Sequence, residues 1–319
     1  MLTFPDFSQK RIVIVGNNGN VTSNLKFYNS NIRLYYGEKF IDQVSCYSVI
    51  CLFIVGDTTL TTKLIKKAKE YGISIFLLSN NLKNYAEIFS SAEGNYKLRQ
   101  KQYQTSEQSE LVLSRLIVKN KIKNQLLLLQ EKNINEFNKK FNSILENIDS
   151  VDDRQLLLGI EGNTSSLYFG AIYKDHDWHR RAPQAKEDPL NLLLDVGYTL
   201  IFNYIDSVLH LFGFDTYKGF YHKLFFERRS LSCDMMEPLR PIIDRQILKM
   251  FNLKQINEKD FYLKDCSYSF KDFESANKYS NHILEAVLKQ KEPIYDFVYS
   301  FYRHIQEPEK HNFIEFSPL

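Results

Sequence analysis

The hydrophobic pattern of this 319-residue chain changes in character near residue 95. Before that point, short β-branched and aromatic runs such as RIVIVG (11–16), SVICLFIVG (48–56) and ISIFLLS (73–79) are typical of strands. One stretch among them, 58–72, has its apolar residues at helical spacing. After residue 107 helical spacing dominates, beginning with SELVLSRLIVKNKIKNQLLLLQ. The pattern therefore predicts an α+β protein with a small β-rich N-terminal domain and a larger all-α C-terminal domain.

The same change of pattern suggests where the domains divide. Residues 1–94 are predicted to form the β-rich domain, and residues 107–319 the helical domain, which includes further helices over 134–148 and 190–212. Residues 95–106 lack a clear apolar face and are predicted to be a linker. A chain of this length is long enough for two hydrophobic cores.

Charge and cysteine content narrow the class of protein. The 41 Lys and Arg residues face 38 Asp and Glu residues, so a net charge of +3 does not by itself indicate a nucleic-acid binder. The cysteines at 46, 51, 233 and 266 form no CxxC pair and fit reduced thiols. The longest apolar run, 49–55, is too short to span a bilayer, and the N-terminus does not resemble a secretory leader. We expect a soluble cytoplasmic protein without a membrane segment.

Four residues suggest a metal site. Asp234 and Glu237 are three apart, so on one helix they share a face and repel each other unless a cation or proton lies between them. His222 precedes them, and Glu161 lies between Gly159 and Gly162 at what looks like a helix start, with Asn163, Thr164 or Ser165 as its N-cap. Each alone has a plainer explanation: a structural histidine, a solvated acidic face, or an exposed acid at a helix entry.

The combination of motifs is more specific than any one of them. The chain contains, in order, LRQKQY (98–103), RLIVKNKIKNQLLLL (115–129), GIEG (159–162), DPLNLLLDVGYTLI (188–201), GFYH (219–222) and SLSCDMMEPLRPIID (230–244). This series resembles the CRISPR-associated integrases of the Cas-one family, and the resemblance extends over roughly residues 10–310. Residues 56–90 and the stretch AEGNYKLRQKQY are most similar to the type V branch of that family.

The resemblance implies a metal-dependent DNA integrase and endonuclease that inserts short spacer DNA into a CRISPR array by transesterification. Its catalytic residues and metal ligands fall on Glu161, His222 and Glu237, with Asp234 and Asn191 supporting them from outside. The last ligand is Glu here, where the commonest family pattern has Asp. Two carboxylates and one imidazole suit Mg²⁺ or Mn²⁺. The implied partners are double-stranded DNA, a second copy of the chain paired through the N-terminal domain, and a small Cas-two subunit that bridges two dimers.

DNA binding requires basic residues near such a site. The pairs Arg180–Arg181 and Arg228–Arg229 are the best candidates for phosphate contacts, since the second lies between His222 and Asp234. Other basic clusters, including Lys119, Lys121 and Lys123, are equally compatible with a solvated helix face. Two alternative functions stay open at this point: a metal-dependent phosphoesterase acting on small substrates, and a non-catalytic DNA-binding subunit.

Overall fold

The computed structural model describes residues 10–16, 22–79, 84–89, 95–176 and 178–318. Strands occupy most of the chain before residue 90, and helices most of the chain after it. This arrangement confirms the predicted α+β fold class. The division at residue 94 falls beside residues 90–94, which lie outside the described residues, and the exact domain bounds stay a prediction.

Two sheets form the N-terminal part. Its strands are, in chain order, β1 (Arg11–Gly16), β2 (Ser23–Tyr28), β3 (Asn31–Tyr36), β4 (Lys39–Ser45), β5 (Val49–Val55), β6 (Thr58–Leu60), β7 (Ser74–Leu78) and β8 (Asn84–Ile88). The first sheet has the order β1-β5-β7-β8, parallel except at its last pair, and the second has the order β4-β3-β2-β6. Helix α1 (Thr62–Glu70) connects β6 to β7. Strand β5 is buried along its whole length, which explains why its sequence is continuously apolar.

The helical part consists of α2 (Tyr96–Gln104), α3 (Glu107–Glu131), α4 (Asn138–Asn147), α5 (Arg154–Ile172), α6 (Pro189–Phe212), α7 (Ser230–Met236), α8 (Arg240–Asn252), α9 (Phe273–Lys289) and α10 (Lys291–Gln306). A small hairpin of β9 (Phe261–Lys264) and β10 (Ser267–Phe270) lies between α8 and α9. The long helices predicted over 109–130 and 190–212 correspond to α3 and α6.

The first sheet packs on both of its faces. Side chains alternate along a strand, so Phe53 of β5 joins the large core of the helical part while Leu52 faces a smaller core shared with the second sheet and α1. The close approach of sheet and helices is visible at Gly16, where an added Cβ would lie 1.7 Å from the ring of Phe273. One face of the first sheet therefore belongs to the core of the helical part, and the other face belongs to a separate core within the N-terminal part.

The predicted linker is itself an ordered helix. Helix α2 covers most of residues 95–106, with Leu98 and Gln102 fully buried. The Gln102 side-chain amide donates to the carbonyl oxygens of Asp215 and Lys218, both at 2.7 Å. The sequence did not indicate this helix, because its buried Gln102 is held by polar contacts with the backbone of a distant loop. The role of residues 95–106 as a linker between two domains stays a prediction.

Helix α6 forms the centre of the helical part. By length and composition it is apolar enough to cross a membrane, and no other helix within the described ranges meets that test. However, 83% of its most apolar stretch is buried inside the protein, as is typical of a core helix. The interruptions noted in the sequence, Asn191 and Asn203, are fully buried polar residues, and Asp195 binds Arg181.

Candidate functional site

The segment that carries Asp234 and Glu237 changes its backbone conformation between them. Helix α7 ends at Met236, a 3₁₀ turn spans Glu237–Leu239, and α8 then begins at Arg240. Proline at 238 and again at 241 removes two backbone donors, which favours a break at this point. Both acids are buried, and each has its own set of partners. The cation expected between them stays a prediction.

Together, residues Gly219–His222 and Asp234 form what we call the pinned half of the site. Asp234 fixes the GFYH segment (219–222). Its carboxylate accepts hydrogen bonds from the backbone N–H groups of Phe220 at 2.6 Å, Tyr221 at 3.0 Å and His222 at 2.9 Å. The Nδ1 atom of His222 lies 2.7 Å from the same carboxylate. If that nitrogen carries the proton, Nε2 is the basic nitrogen of the ring.

Gly219 permits this close approach. A Cβ at position 219 would lie 2.7 Å from the backbone carbonyl carbon of Ser230 and 2.8 Å from Oδ2 of Asp234. Contacts this short are essentially never seen for real Cβ atoms, and the nearer one is to backbone, which cannot swing aside. The first residue of GFYH is therefore dictated by the packing of this segment against α7.

The other half of the site is built around a buried lysine. Nζ of Lys121 contacts Oε1 of Glu161 and lies 2.6 Å from Oε2 of Glu237, and only 7% of the Lys121 side chain is exposed. Glu237 also receives two hydrogen bonds of 2.9 Å from the guanidinium of Arg240. We call Glu161, Lys121, Glu237 and Arg240 the ion-bridged half of the site.

The charges around Glu237 keep it ionised. Burial alone would raise the pKa of this carboxyl, but the positive charges of Arg240 and Lys121, with their hydrogen bonds, lower it far below its usual range. Glu237 therefore carries a negative charge at any physiological pH, and its oxygens could bind a cation. The ion-bridged half thus presents two carboxylates, from segments far apart in the sequence, that meet at a single cation.

Arg240 also contacts a second buried network, in which Tyr198 and Tyr168 bind the carboxylate of Asp244. The ring of Tyr198 lies 4.4 Å from the Arg240 guanidinium, and its hydroxyl donates to Asp244 at 2.6 Å. Tyr168 donates to the other oxygen of Asp244 at 2.8 Å. Burial raises the pKa of Asp244 to about 6, although these hydrogen bonds and nearby cations act in the opposite direction. Arg240 is thereby fixed between Glu237 and the α5–α6 core.

Lys121 is the site residue that sequence reasoning did not single out. In the sequence it belongs with Lys119 and Lys123 to a basic cluster for which a solvated face is one explanation. Residues two apart on a helix point about 200° apart, so three lysines at this spacing cannot all face the same way. The structure pairs Lys119 with Asp149 and Lys123 with Glu315, and turns Lys121 inward. The spacing of the three lysines was therefore the feature of the sequence that could have predicted an inward-facing lysine.

Glu161 lies inside a helix and not at its start. Helix α5 begins at Arg154, with Asp153 as its N-cap accepting a 2.8 Å hydrogen bond from the Leu156 N–H. The predicted caps are interior residues: Thr164 bonds the carbonyl of Ile160, and Ser165 donates to Glu161 at 2.9 Å. The space around the flanking glycines is open, since a Cβ at position 159 or 162 would meet no atom within 4 Å.

Tyr221 links the two halves of the site. It is 3% exposed, its hydroxyl has no hydrogen-bond partner among the described residues, and its ring contacts that of His222. Burial raises the pKa of Tyr221, and the negative charges of Glu161, Glu237 and Asp234 raise it further, so the hydroxyl stays protonated. A buried polar atom without a partner beside these acids is where a bound ion or its water would be accommodated.

These observations test the expected metal site. Within the described ranges, no group of three or more His, Cys, Asp or Glu side chains converges closely enough to hold a metal ion. The donors nevertheless fit a divalent cation: two carboxylates already meet at one positive charge, and an unpartnered hydroxyl lies nearby. The Lys121 ammonium lies where a cation shared by Glu161 and Glu237 would bind.

Asn191, expected to support the metal ligands, is used elsewhere. It is fully buried at the start of α6, where its side-chain oxygen accepts hydrogen bonds from Arg181 at 2.8 Å and from the backbone N–H of Ala182 at 2.9 Å. Its amide donates to the carbonyl of Arg180 at 3.1 Å. Among the described residues, Asn191 has no hydrogen bond to Glu161, His222 or Glu237. It holds the 180–182 segment instead.

The four arginines predicted to contact phosphate differ in their exposure and in their ion pairs. Arg229 is 13% exposed and bridges Glu87 of β8 and Asp206 of α6, which corrects the expectation that it is a free phosphate contact. Arg181 is similarly enclosed, at 16% exposed, by its pair with Asp195. Arg180 is 72% exposed beside Glu187, and Arg228 is half-buried at the end of the loop after His222. Phosphate contact stays a prediction for Arg180 and Arg228.

The fold closely resembles that of several solved structures. The chain superposes on a casposase bound to integration product with a TM-score of 0.83, at 19% identity, covering 96% of this chain and 94% of that one. A CAS1 protein from Thermotoga maritima gives a TM-score of 0.81 at 18% identity, with 93% and 97% covered. The architecture is thus that of the casposase and CAS1 structures.

The sequence comparisons identify the family. The family model described as CRISPR associated protein Cas1 matches residues 20–281. The CRISPR-associated endonuclease Cas1 1 of Thermodesulfovibrio yellowstonii is 32% identical over 232 residues, which are 66% of this chain and 71% of that protein. This chain belongs to the Cas1 family of CRISPR-associated proteins, as its motifs indicated. A Cas6-RT-Cas1–Cas2 complex also contains a similar fold, with a TM-score of 0.77 at 17% identity, covering 96% of this chain and 36% of that one.

Proposed function

We propose that this protein is a metal-dependent DNA integrase and endonuclease that joins short spacer DNA to a CRISPR repeat. In the proposed reaction a DNA 3′-hydroxyl attacks a phosphodiester of the repeat and another 3′-hydroxyl leaves. The observation that carries the proposal is the meeting of Glu161 and Glu237 at the buried Lys121 ammonium, together with a histidine fixed by Asp234. Membership of the Cas1 family and the likeness to relatives named as endonucleases support it.

The proposed cofactor is Mg²⁺ or Mn²⁺, held by Glu161, His222 and Glu237. When bound, such an ion supplies Lewis acidity and neutralises charge on the transferring phosphoryl group. The residues around it have separate tasks. Lys121 and Arg240 keep Glu237 ionised in the metal-free protein, and Asp234 holds the imidazole in one orientation and one tautomer.

The proposed partners are double-stranded DNA, a second copy of this chain paired through the N-terminal part, and a Cas2 subunit. Support for DNA and for Cas2 comes from two of the similar structures, one bound to an integration product and one a complex with Cas2. Phosphate contacts are assigned to the exposed Arg180 and the half-buried Arg228, and no longer to the enclosed Arg229 and Arg181. A soluble cytoplasmic protein follows from this role.

The decisive experiment combines purified protein, with and without a Cas2 subunit, with a supercoiled plasmid carrying a CRISPR repeat, short duplexes and Mn²⁺. Joined products are expected. Glu161→Ala or His222→Ala should abolish joining while DNA binding persists, because each change removes one proposed ligand and leaves the basic surface intact. Near wild-type joining by either variant contradicts the assignment.

The same preparation distinguishes the two alternatives. Hydrolysis of bis-p-nitrophenyl phosphate without any plasmid joining would indicate a phosphoesterase for small substrates. DNA binding without chemistry of either kind would indicate a non-catalytic subunit.

A further inference from the structure

Helix α2 and the residue before it present a polar face to the C-terminal end of helix α6. Asn95, Arg99 and Gln102 are spaced by four and three residues, so they lie on one side of the helix. The Asn95 amide donates to the carbonyl of Phe212 at 3.0 Å, and Nε of Arg99 donates to the carbonyl of Gly213 at 3.1 Å. The last carbonyls of a helix have no partner within it. The polar face of α2 therefore supplies partners for the end of α6.

Gln102 extends this contact into the loop that leads to the site. We call residues 213–218 the approach segment. The Gln102 amide donates to the carbonyls of Asp215 and Lys218, both at 2.7 Å, and its Oε1 accepts a 3.1 Å hydrogen bond from the Asp215 N–H. Gln102 is fully buried, and the approach segment is neither helix nor strand. This one side chain therefore gives an irregular segment the backbone partners that a neighbouring strand would otherwise provide.

The approach segment has further side-chain contacts with the same part of the chain. Nζ of Lys218 lies 2.5 Å from Oε1 of Glu110, at the start of α3, and only 12% of the Lys218 side chain is exposed. The hydroxyl of Tyr103 donates to Oδ2 of Asp215 at 2.9 Å. The other oxygen of Asp215 accepts a 2.9 Å hydrogen bond from the Tyr217 N–H. Helix α2 and the first turn of α3 together hold the approach segment.

The approach segment leads directly into the pinned half. Lys218 is followed by Gly219, and His222 is four residues beyond Lys218. Gly219 packs closely enough against Ser230 that a Cβ would lie 2.7 Å from its backbone, so the chain has no spare room there. Densely packed segments transmit strain instead of absorbing it. A displacement of the approach segment is therefore passed on to His222.

We propose that Gln102 is a positioning residue for His222, because it holds the approach segment that sets where the imidazole lies. The proposal rests on the proposed function and deepens it, since His222 is one of the proposed metal ligands. Without the three Gln102 hydrogen bonds the approach segment opens, and His222 moves with it. The pairs of Lys121 with Glu161 and Glu237 do not involve this segment. Metal binding then weakens while DNA binding stays unchanged.

The first test measures amide hydrogen exchange in EDTA for the wild type and Gln102→Met. Methionine is similar to glutamine in size but forms none of the three hydrogen bonds. The amides of residues 220–222, which donate to Asp234, should exchange about tenfold faster, because losing these bonds favours local opening. The matched control is Gln100→Ala, exposed on the same helix, which should leave exchange at 220–222 unchanged.

The second test measures the Mn²⁺ concentration that gives half-maximal strand joining, together with DNA affinity in EDTA by fluorescence anisotropy. Gln102→Met should raise this Mn²⁺ concentration by about tenfold, the low end for outer partners of metal ligands. Its DNA affinity should equal that of the wild type. If Gln102 only stabilised the fold, the variant would lower the amount of active protein without moving the half-maximal Mn²⁺ concentration. That result would overturn the proposal.

A milder variant decides the question if Gln102→Met does not fold. Tyr103→Phe removes one hydrogen bond to Asp215 from a side chain that is 51% exposed, so the fold should tolerate it. Exchange at residues 220–222 should then rise by about threefold. Unchanged exchange there would overturn the proposal. Faster exchange confined to α2 and the approach segment would overturn it as well, because the effect would not reach His222.

Failure of this inference can be told from failure of the proposed function, since hydrogen exchange is measured without metal or DNA. If the wild type joins DNA and Gln102→Met leaves exchange at residues 220–222 unchanged, only the positioning role of Gln102 is wrong. If the wild type joins no DNA in Mn²⁺ but Gln102→Met speeds exchange at 220–222, the proposed chemistry is wrong and the hold of Gln102 on the His222 segment stands.

Discussion

The two halves of the site are stabilised in different ways. In the pinned half, a fully buried Asp234 is satisfied by three backbone N–H groups and an imidazole, all from the four residues Gly219–His222. In the ion-bridged half, Glu161 and Glu237 are satisfied by the side chains of Lys121 and Arg240. Backbone donors cannot leave, whereas a lysine side chain on four flexible carbons can.

The difference indicates a division of labour. The pinned half is complete without any added ion and sets the position of His222. The ion-bridged half is held together by a cation that belongs to the protein, and a divalent cation could take over that role. We therefore expect the pinned half to respond to substitution mainly through geometry and the ion-bridged half mainly through charge.

The largest expected effect contrasts one acid from each half. Glu237→Gln keeps the size of the side chain but removes its charge, so we expect strand joining to fall below detection. Asp234→Asn keeps one oxygen for part of the backbone hydrogen bonds but turns an NH2 group toward the remaining N–H donors. Joining should therefore fall by about ten- to a hundredfold, as for other outer partners of metal ligands. The measurement is the rate of strand joining over a titration of Mn²⁺. The opposite ranking would make Asp234 the direct ligand.

The next effect concerns the buried lysine. Lys121→Met leaves two carboxylates facing each other without their shared cation. We expect the free energy of unfolding in EDTA to fall by about 3 kcal/mol. This value is near the low end for a broken buried ion pair, because Arg240 still pairs with Glu237. Mn²⁺ should restore much of this loss, and more than it stabilises the wild type. Urea unfolding with and without Mn²⁺ measures both quantities.

Lys123→Met provides the control on the same helix. Lys123 is 51% exposed and pairs with Glu315 at 2.6 Å, so its loss should cost less than about 1 kcal/mol. If Mn²⁺ failed to stabilise the Lys121→Met protein, the proposed metal site would be wrong, although the structural role of Lys121 would stand.

The smallest expected effect tests the geometry of the pinned half. Gly219→Ala places a methyl group against the Ser230 backbone and Asp234, and the displacement should cost about 1–3 kcal/mol, as for other overpacked positions. Gly170→Ala, inside α5 with no atom within 4 Å of the added Cβ, should instead stabilise by roughly 0.5–1 kcal/mol. Urea unfolding of the two variants gives the comparison. Equal effects would mean that the GFYH segment relaxes freely around Asp234.

Local patterns predicted the elements well and their ends poorly. The continuous apolar run of β5 and the helical spacing of α3 and α6 are properties of short segments, and the structure confirms them. The start of α5 was misplaced because Asp153 competes successfully with the later Asn, Thr and Ser residues as N-cap. Helix α2 was missed because its buried Gln102 is satisfied by a loop more than a hundred residues away.

For the site residues too, the sequence identified candidates but not their distant partners. The motif positions brought Glu161, His222, Asp234 and Glu237 to notice. The structure joins Glu161 to Glu237 through Lys121 and joins His222 to Asp234. Arg229 was assigned by its position in the sequence between His222 and Asp234, and Asn191 by the family resemblance. The structure shows that distant partners, Glu87 for the first and the 180–182 backbone for the second, already satisfy them.

The α+β class, the long helices and strands and the family could all be predicted from the sequence, because each depends on residue types at fixed local spacing. Which charges meet depends instead on how the folded chain packs. Lys121, Glu161 and Glu237 lie on three separate segments, and nothing in their local spacing states that they converge. A buried charge must be paired, but the partner is chosen by the packing of α3, α5 and the α7–α8 junction against one another. That packing turned one lysine of an apparently solvated cluster into the centre of the site.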